Sequence, residues 1–376
     1  MDGPASIILQ EGTATSLAAP IKIGEPITVV EHRRIPIETD TDAVLQVRTG
    51  EQGVCRQVNG STIPPSWRDA ADVLRRSLGF AVILGDVDAG KSTLCTYLAN
   101  TCLDHRLRTS IIDGDVGQAD IGPPTTTSSS TVSKHILNLQ ELRPERSYFI
   151  GDTSPSSVPD KLVKSIARLK YELSTGSETT ILNTDGWVRE DEAVAHKLQL
   201  LNSLRPDLVL GLSLDHELDH ILDLQQCPTL RLEASSFART RTREERKKAR
   251  EEGYRRFLQN PKRLNLRLNA IKLRMFNAPR QQRIDRDSTH RGTLAGLLDE
   301  KGVLLSIGRI VRIGTGIISI TTTAEEMPRT VELGAVILSS GFDEIAYEPR
   351  SSRRQESSRH RSCARCSSPS SKASSH

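Results

Sequence analysis

Long apolar runs are missing from the 376 residues. No stretch approaches the roughly 18 to 20 consecutive apolar residues of a membrane-spanning helix. The opening decapeptide, MDGPASIILQ, lacks the positive region, apolar core and cleavage site of a secretory signal. Cytoplasmic placement is therefore expected, with no membrane partner. Cysteine is sparse: Cys55, Cys95, Cys102, Cys227, Cys363 and Cys366 form no disulfide framework, which suits a reducing compartment. The CARC pair has no second pair with which to complete a zinc site. Tryptophan is confined to Trp67 and Trp187. A strong net charge is also missing, at +4, but the charge is uneven. Residues 239–263 carry eleven Lys/Arg against four Glu and residues 351–376 six against one, so the remainder is mildly acidic. One basic segment is thus concentrated enough to meet an anion.

The length exceeds what one hydrophobic core organises, so several domains are expected. Residues 1–66 alternate short apolar runs with Gly, Pro and charged breaks, the pattern of a small β domain, and close on a Pro-bounded linker. Residues 67–263 begin with a short helix. Strands follow at 80–84, 109–113, 147–150, 180–183 and 208–212, alternating with helices at 91–102, 159–173, 191–204 and 216–224. Within PDKLVKSIARLKYEL, Leu162, Ile166 and Leu169 share one side at helical spacing. The fold class is α/β: a P-loop NTPase domain with a mostly parallel sheet, binding ligands at the carboxyl ends of its strands. Residues 264–348 return to short strands as a second β domain. Residues 349–376 are Ser/Arg-rich, nearly free of apolar side chains and expected to be disordered.

GDVDAGKST follows the apolar run GFAVIL and precedes a helical stretch. That placement makes Gly85, Asp86, Val87, Asp88, Ala89, Gly90, Lys91, Ser92 and Thr93 an ATP-binding loop. Glycines let the backbone wrap the phosphates, Lys91 reaches the β and γ groups, and the Ser92 hydroxyl ligates Mg2+. The next strand ends in DGDVGQ and is expected beside the loop, with Asp113 and Asp115 facing metal and γ phosphate. One carboxylate would orient hydrated metal and the other accept a proton from an attacking hydroxyl; a plain strand-end turn is the alternative. Thr153 and Ser154, in GDTSPSS, read on their own as a helix cap rather than as donors to substrate. Trp187, in NTDGWV, reads on its own as a core residue, with stacking on a base as the other option. The run RTREERKKAR is a solvated helix or a lid that brings Arg241 and Arg246 to the triphosphate.

In that order, GDVDAGKST, DGDVGQ, GDTSPSS, NTDGWV and the basic run resemble the polynucleotide 5′-hydroxyl kinase family. Its members include the kinase subunit of the pre-mRNA cleavage factor, the kinase of pre-ribosomal RNA processing and single-chain archaeal RNA kinases. By size, the archaeal form is the most similar. The resemblance covers residues 61–347 and implies transfer of the ATP γ phosphate to the 5′-hydroxyl of RNA, and often of DNA, with Mg2+ as cofactor. It implies Lys91 and Ser92 at the phosphates and metal, and Asp115 orienting or deprotonating the 5′-hydroxyl. Gln118, Thr153 and Ser154 would clasp the terminal nucleotide, Trp187 would stack on its base, and Arg241 and Arg246 would form the lid. The adenine would lie against the N-terminal β domain, where no motif matches. After GWV the chain reads REDEAV, where eukaryotic members tend to have glycine. The alternatives are a nucleotide-binding scaffold of an RNA-processing complex with weak or no kinase activity, and a P-loop ATPase without an acceptor.

Overall fold

The computed structural model describes residues 1–276 and 291–345, so the expectations for the tail and CARC lie outside the described residues. The central sheet has seven strands in the order Thr229–Glu233, Leu208–Ser213, Gly79–Gly85, Thr179–Asn183, Thr109–Asp113, Thr126–Val132 and Arg146–Phe149. The first five run parallel and the last two pair antiparallel. Unbroken apolar strands such as GFAVILG need cover on both faces. Alternation along that strand sends Ala81 and Ile83 to one core, with Trp67, Leu74, Leu94 and Leu98. Val82 and Leu84 go to the other, with Leu162, Ile166, Leu169 and Leu200.

In the sheet, Thr179–Asn183 lies between the loop strand and Thr109–Asp113, the strand that leads into the two aspartates. Thr126–Val132, a strand of sequence TTSSSTV, was hidden by its polarity. Two of its buried hydroxyls are partnered: Thr127 Oγ1 donates to Ser165 Oγ at 3.0 Å, and Ser128 Oγ meets Ser147 Oγ at 2.7 Å; Ser129 Oγ has no partner among the described residues. The helix expected at 216–224 shrinks to Asp219–Leu222, because Glu217 turns back to accept the N–H groups of Leu214 and Asp215.

Two further sheets flank this body. The N-terminal one orders Pro26–Val29, Ala5–Glu11 and Val44–Thr49. It is tied to the body through Asn100, whose Nδ2 donates to Leu17 O at 2.8 Å, and through the Arg33–Asp120 ion pair at 2.6 Å. The second follows the helix Arg243–Phe257 and has seven strands from Lys262–Arg267 to Glu344–Ile345. Its core, with Leu298, Ile307 and Leu338, takes in Phe149 from the central sheet and Tyr254 from the helix.

Candidate active site

The loop 85–90 closes on Gly90, whose φ of +102° favours glycine, and the helix Lys91–Asp104 starts there. Lys91 is buried, and its Nζ donates to the carbonyls of Gly85 at 3.0 Å and Asp86 at 2.8 Å. Burial lowers its pKa, with Asp115 and Asp185 opposing the shift. A cleft of about 780 Å3 opens over this loop, and Asp115, Gln118, Thr153, Trp187, Arg241 and Arg246 line it with the loop residues. Side chains from five separate stretches of sequence thus converge on one cavity at the strand ends.

The two aspartates of DGD part company. Asp113 is buried and holds the following loop: its Oδ2 accepts the N–H groups of Asp120 at 2.7 Å and Ile121 at 3.0 Å. Its Oδ1 accepts from Asp115 N at 3.3 Å and Asn183 Nδ2 at 3.2 Å. Four donors fill the acceptor sites of one carboxylate, so Asp113 is a loop clasp behind the cleft and not the metal-facing group expected of it. Burial and the neighbouring Asp120 raise its pKa. Asp115 lines the cleft, with Oδ1 accepting from Gly117 N at 3.1 Å and Gln118 N at 2.9 Å. Burial raises its pKa and Lys91 opposes this. Asp120, unlike Asp113, lines the cleft with Ser92. Burial pushes its pKa up, but the Arg33 guanidinium outweighs burial and holds it low.

Arg241 and Arg246 meet the loop directly. Asp88, its side chain 4% exposed, accepts from Arg241 Nε at 2.9 Å and N at 2.9 Å, and from Arg246 Nη1 at 3.0 Å. Thr242 and Glu245 form a capping box that starts the helix Arg243–Phe257 between the two arginines. That helix is docked rather than a loose strap. Tyr254 is fully buried, and Arg250 donates twice to Glu344, each at 2.7 Å. Gln118 Nε2 donates to Arg246 O at 3.2 Å, joining the DGDVGQ loop to the basic helix.

Neither Thr153 nor Ser154 caps the helix Pro159–Leu173, whose N-cap is Val158. Ser154 also lines the cleft; its Oγ meets Ser156 Oγ at 2.7 Å and its N–H donates to Asp152. Of the two tryptophans, Trp67 is the core residue, with Nε1 donating to Glu233 O at 2.8 Å. Trp187 is half-buried on the cleft wall and stacks on His196, centroids 5.7 Å apart. Burial, reinforced by Lys197, lowers the His196 pKa to about 4, so the platform under Trp187 is a neutral ring near pH 7. Gly186 has no alternative, since a Cβ there would stand 2.6 Å from Val87 N. The REDEAV departure has a local use, as Arg189 Nε donates to Asp86 Oδ2 at 2.7 Å.

Several site residues carry no sequence signature: Arg33, Asp120 and the buried pair Asp185–Lys197, 2.7 Å apart and at most 5% exposed. Asp185 Oδ1 also accepts Trp187 N at 3.0 Å, so the pair sets the Trp187 loop. Lys197→Met is expected to cost about 3–5 kcal/mol in a denaturant melt, because it strands a buried carboxylate. Lys197→Met combined with Asp185→Asn should recover much of that loss.

Residues 85–260 match the family described as mRNA cleavage and polyadenylation factor CLP1 P-loop. The polyribonucleotide 5′-hydroxyl-kinase of Pyrococcus abyssi is 35% identical over 190 residues, 50% of this chain and 53% of that protein. The one from Methanocaldococcus jannaschii is 31% identical over 192 residues, with shares of 50% and 53%. Polynucleotide 5′-hydroxyl-kinase NOL9 of Danio rerio is 30% identical over 162 residues, 42% of this chain and 21% of that one. The chain thus spans about half the length of the archaeal relatives it matches. A solved Clp1p–Pcf11p complex aligns with TM-score 0.65 at 10% identity, over 90% of this chain and 94% of the other. A second structure of the Pcf11p–Clp1p interface aligns with TM-score 0.69 at 11% identity, over 89% and 93%. At such identity the likeness is one of fold, and it extends well beyond the matched P-loop segment. The loop, both aspartates, Trp187, Arg241 and Arg246 all fall inside the matched segment. Residues 85–260 thus match the CLP1 P-loop family, and relatives similar to about half of the chain carry the name polyribonucleotide 5′-hydroxyl-kinase.

Proposed function

We propose that this chain is an ATP-dependent kinase that passes the γ phosphate of ATP to the 5′-hydroxyl of RNA, with DNA ends as further acceptors. The observation that carries this is the shared cleft, which holds a phosphate loop, a carboxylate with one oxygen uncommitted, two arginines and a half-exposed indole. A hydrolase acting on ATP alone has no use for Trp187 or Thr153.

Lys91 and the first amides of the helix Lys91–Asp104 would hold the phosphates. Asp115 would accept the 5′-hydroxyl proton through Oδ2 while the 5′ oxygen forms its bond to the γ phosphorus. The bond from that phosphorus to the bridging oxygen breaks, and ADP leaves. Arg241 and Arg246 would stabilise the charge on the moving phosphoryl group. Gln118, Thr153 and Ser154 would clasp the terminal nucleotide, with its base on Trp187.

Magnesium fits the foot of the loop. The donors there are hard oxygens: Ser92 Oγ, the Asp120 carboxylate, and the buried Asn183 Oδ1, which has no partner among the described residues. Held by these oxygens, the ion would supply positive charge against the triphosphate. No helix among the described residues is long and apolar enough to cross a membrane. RNA processing or repair in the cytoplasm is the proposed setting.

The test is transfer of labelled γ phosphate to a single-stranded oligonucleotide. Trp187→Ala should raise the KM for the oligonucleotide by roughly 5- to 150-fold, the worth of about 1–3 kcal/mol of stacking, with little change for ATP. Equal losses for both substrates would make Trp187 a structural residue.

A further inference from the structure

Between the helix Pro159–Leu173 and the C-terminal sheet lies a second groove, of about 680 Å3. Its walls carry seven Lys/Arg against three Asp/Glu. Two of the cations are committed. Lys161 pairs with Glu332 and donates to Ile150 O at 2.8 Å, and Arg168 lies over the Tyr148 ring and donates to Lys301 O at 2.9 Å. Lys164, Lys272, Arg274, Lys301 and Arg329 are exposed and have no side-chain partner among the described residues. Of the acids, Glu332 is neutralised by Lys161, and Asp299 accepts Val303 N at 2.8 Å within its own turn. Five free cations therefore face two carboxylates without a cation partner among the described residues, Asp299 and Glu300, in a concavity, where low-dielectric walls concentrate their field.

The groove adjoins the candidate active site. Ile150 lines the groove and Thr153 lines the cleft, three residues on and at most about 10 Å of chain away. Lys272 and Arg274 alternate along the strand Lys272–Arg274, so both point to the same side. The Tyr148 ring is already covered by Arg168, so the groove offers charge rather than a stacking surface. Its ligand is accordingly a run of phosphates and not a set of bases.

We propose that this groove binds the phosphates downstream of the terminal nucleotide, so that a single-stranded polynucleotide runs from the P-loop cleft past Thr153 and along the helix Pro159–Leu173. The direction of the strand rests on the kinase reading; the affinity of the groove does not. Contact is through phosphates, so binding is independent of sequence and falls with salt.

The test compares the full chain with the variant Lys272→Glu/Arg274→Glu/Arg329→Glu. Fluorescence anisotropy follows a labelled dinucleotide and a single strand of about 12 nucleotides, a length within the roughly 4–16 nucleotides that one binding module covers. For the longer strand, the variant should bind at least about tenfold more weakly at low salt. Its salt slope should fall by about 2, at roughly 0.7 per phosphate contact. Dinucleotide binding should be unchanged. Lys272→Gln/Arg274→Gln/Arg329→Gln, which adds no repulsion, should move the slope the same way if the glutamate form folds poorly. Wild-type affinity and slope for the longer strand in both variants would overturn the inference, as would an equal loss for the dinucleotide. Groove-dependent capture of a polyglutamate peptide in place of the oligonucleotide would overturn it too. Groove-dependent binding without phosphate transfer would leave this inference standing and remove the kinase reading instead.

Discussion

Asp115→Asn is expected to lower phosphate transfer about 10²- to 10⁴-fold, the range for loss of a positioned general base, with fold and ATP affinity close to wild type. Asn Oδ1 can still accept the N–H groups of Gly117 and Gln118 that Asp115 Oδ1 accepts now, so the DGDVGQ loop keeps its shape. The change falls on Oδ2, where a proton acceptor becomes an N–H donor. Asp113→Asn should behave in the opposite sense. Whichever oxygen becomes the amide nitrogen, two of its four N–H partners would meet a donor, so the cost should appear as lost stability before lost turnover. Initial rates with saturating ATP and oligonucleotide, beside thermal melts of both variants, separate the two roles. Transfer by Asp115→Asn within a few-fold of wild type would show that Asp115 handles no proton.

The second large effect is expected from Arg241→Ala/Arg246→Ala, with kcat lowered by about 10³-fold or more, as when an arginine is withdrawn from a phosphoryl-transfer site. Both guanidiniums also neutralise Asp88, whose side chain is only 4% exposed within the phosphate loop. Their removal leaves a carboxylate held only by Arg241 N, beside the place where a triphosphate would sit. ATP affinity should therefore drop as well, for a reason separate from catalysis. Adding Asp88→Asn removes the stranded charge and should restore ATP binding while leaving kcat low. Recovery of kcat in that triple variant would mean that the arginines serve only to neutralise the loop. The helix Arg243–Phe257 should survive these changes, because its capping box, Tyr254 and the Arg250–Glu344 pair are untouched.

The parts of this protein legible in its sequence are those whose physics is local. Apolar strands and the helices Pro159–Leu173 and Asp191–Leu204 announce themselves by periodicity, and the phosphate loop by its glycines. Thr126–Val132 does not, because a buried strand of hydroxyls is stable only through partners such as Ser147 and Ser165, distant in sequence. Asp113 and Asp115 look interchangeable in DGD. Which one faces the cleft depends on the four donors that the fold delivers to Asp113. Asp120 depends in turn on Arg33, 87 residues away. The arginines of RTREERKKAR were readable as candidates, but their partner Asp88 lies inside the phosphate loop, 153 residues from Arg241. Motif order carried the proposed acceptor further than any single residue did. Read alone, Trp187 suited a core and Thr153 a cap, and the structure puts both on the cleft wall.

The most direct measurement offers labelled γ-ATP and Mg2+ to two single-stranded RNAs that differ only in carrying a 5′-hydroxyl or a 5′-phosphate. Label should appear on the end of the hydroxyl strand alone, and Lys91→Ala should abolish it. Label released only as inorganic phosphate, at the same rate with either strand or with none, would contradict a kinase of polynucleotide ends.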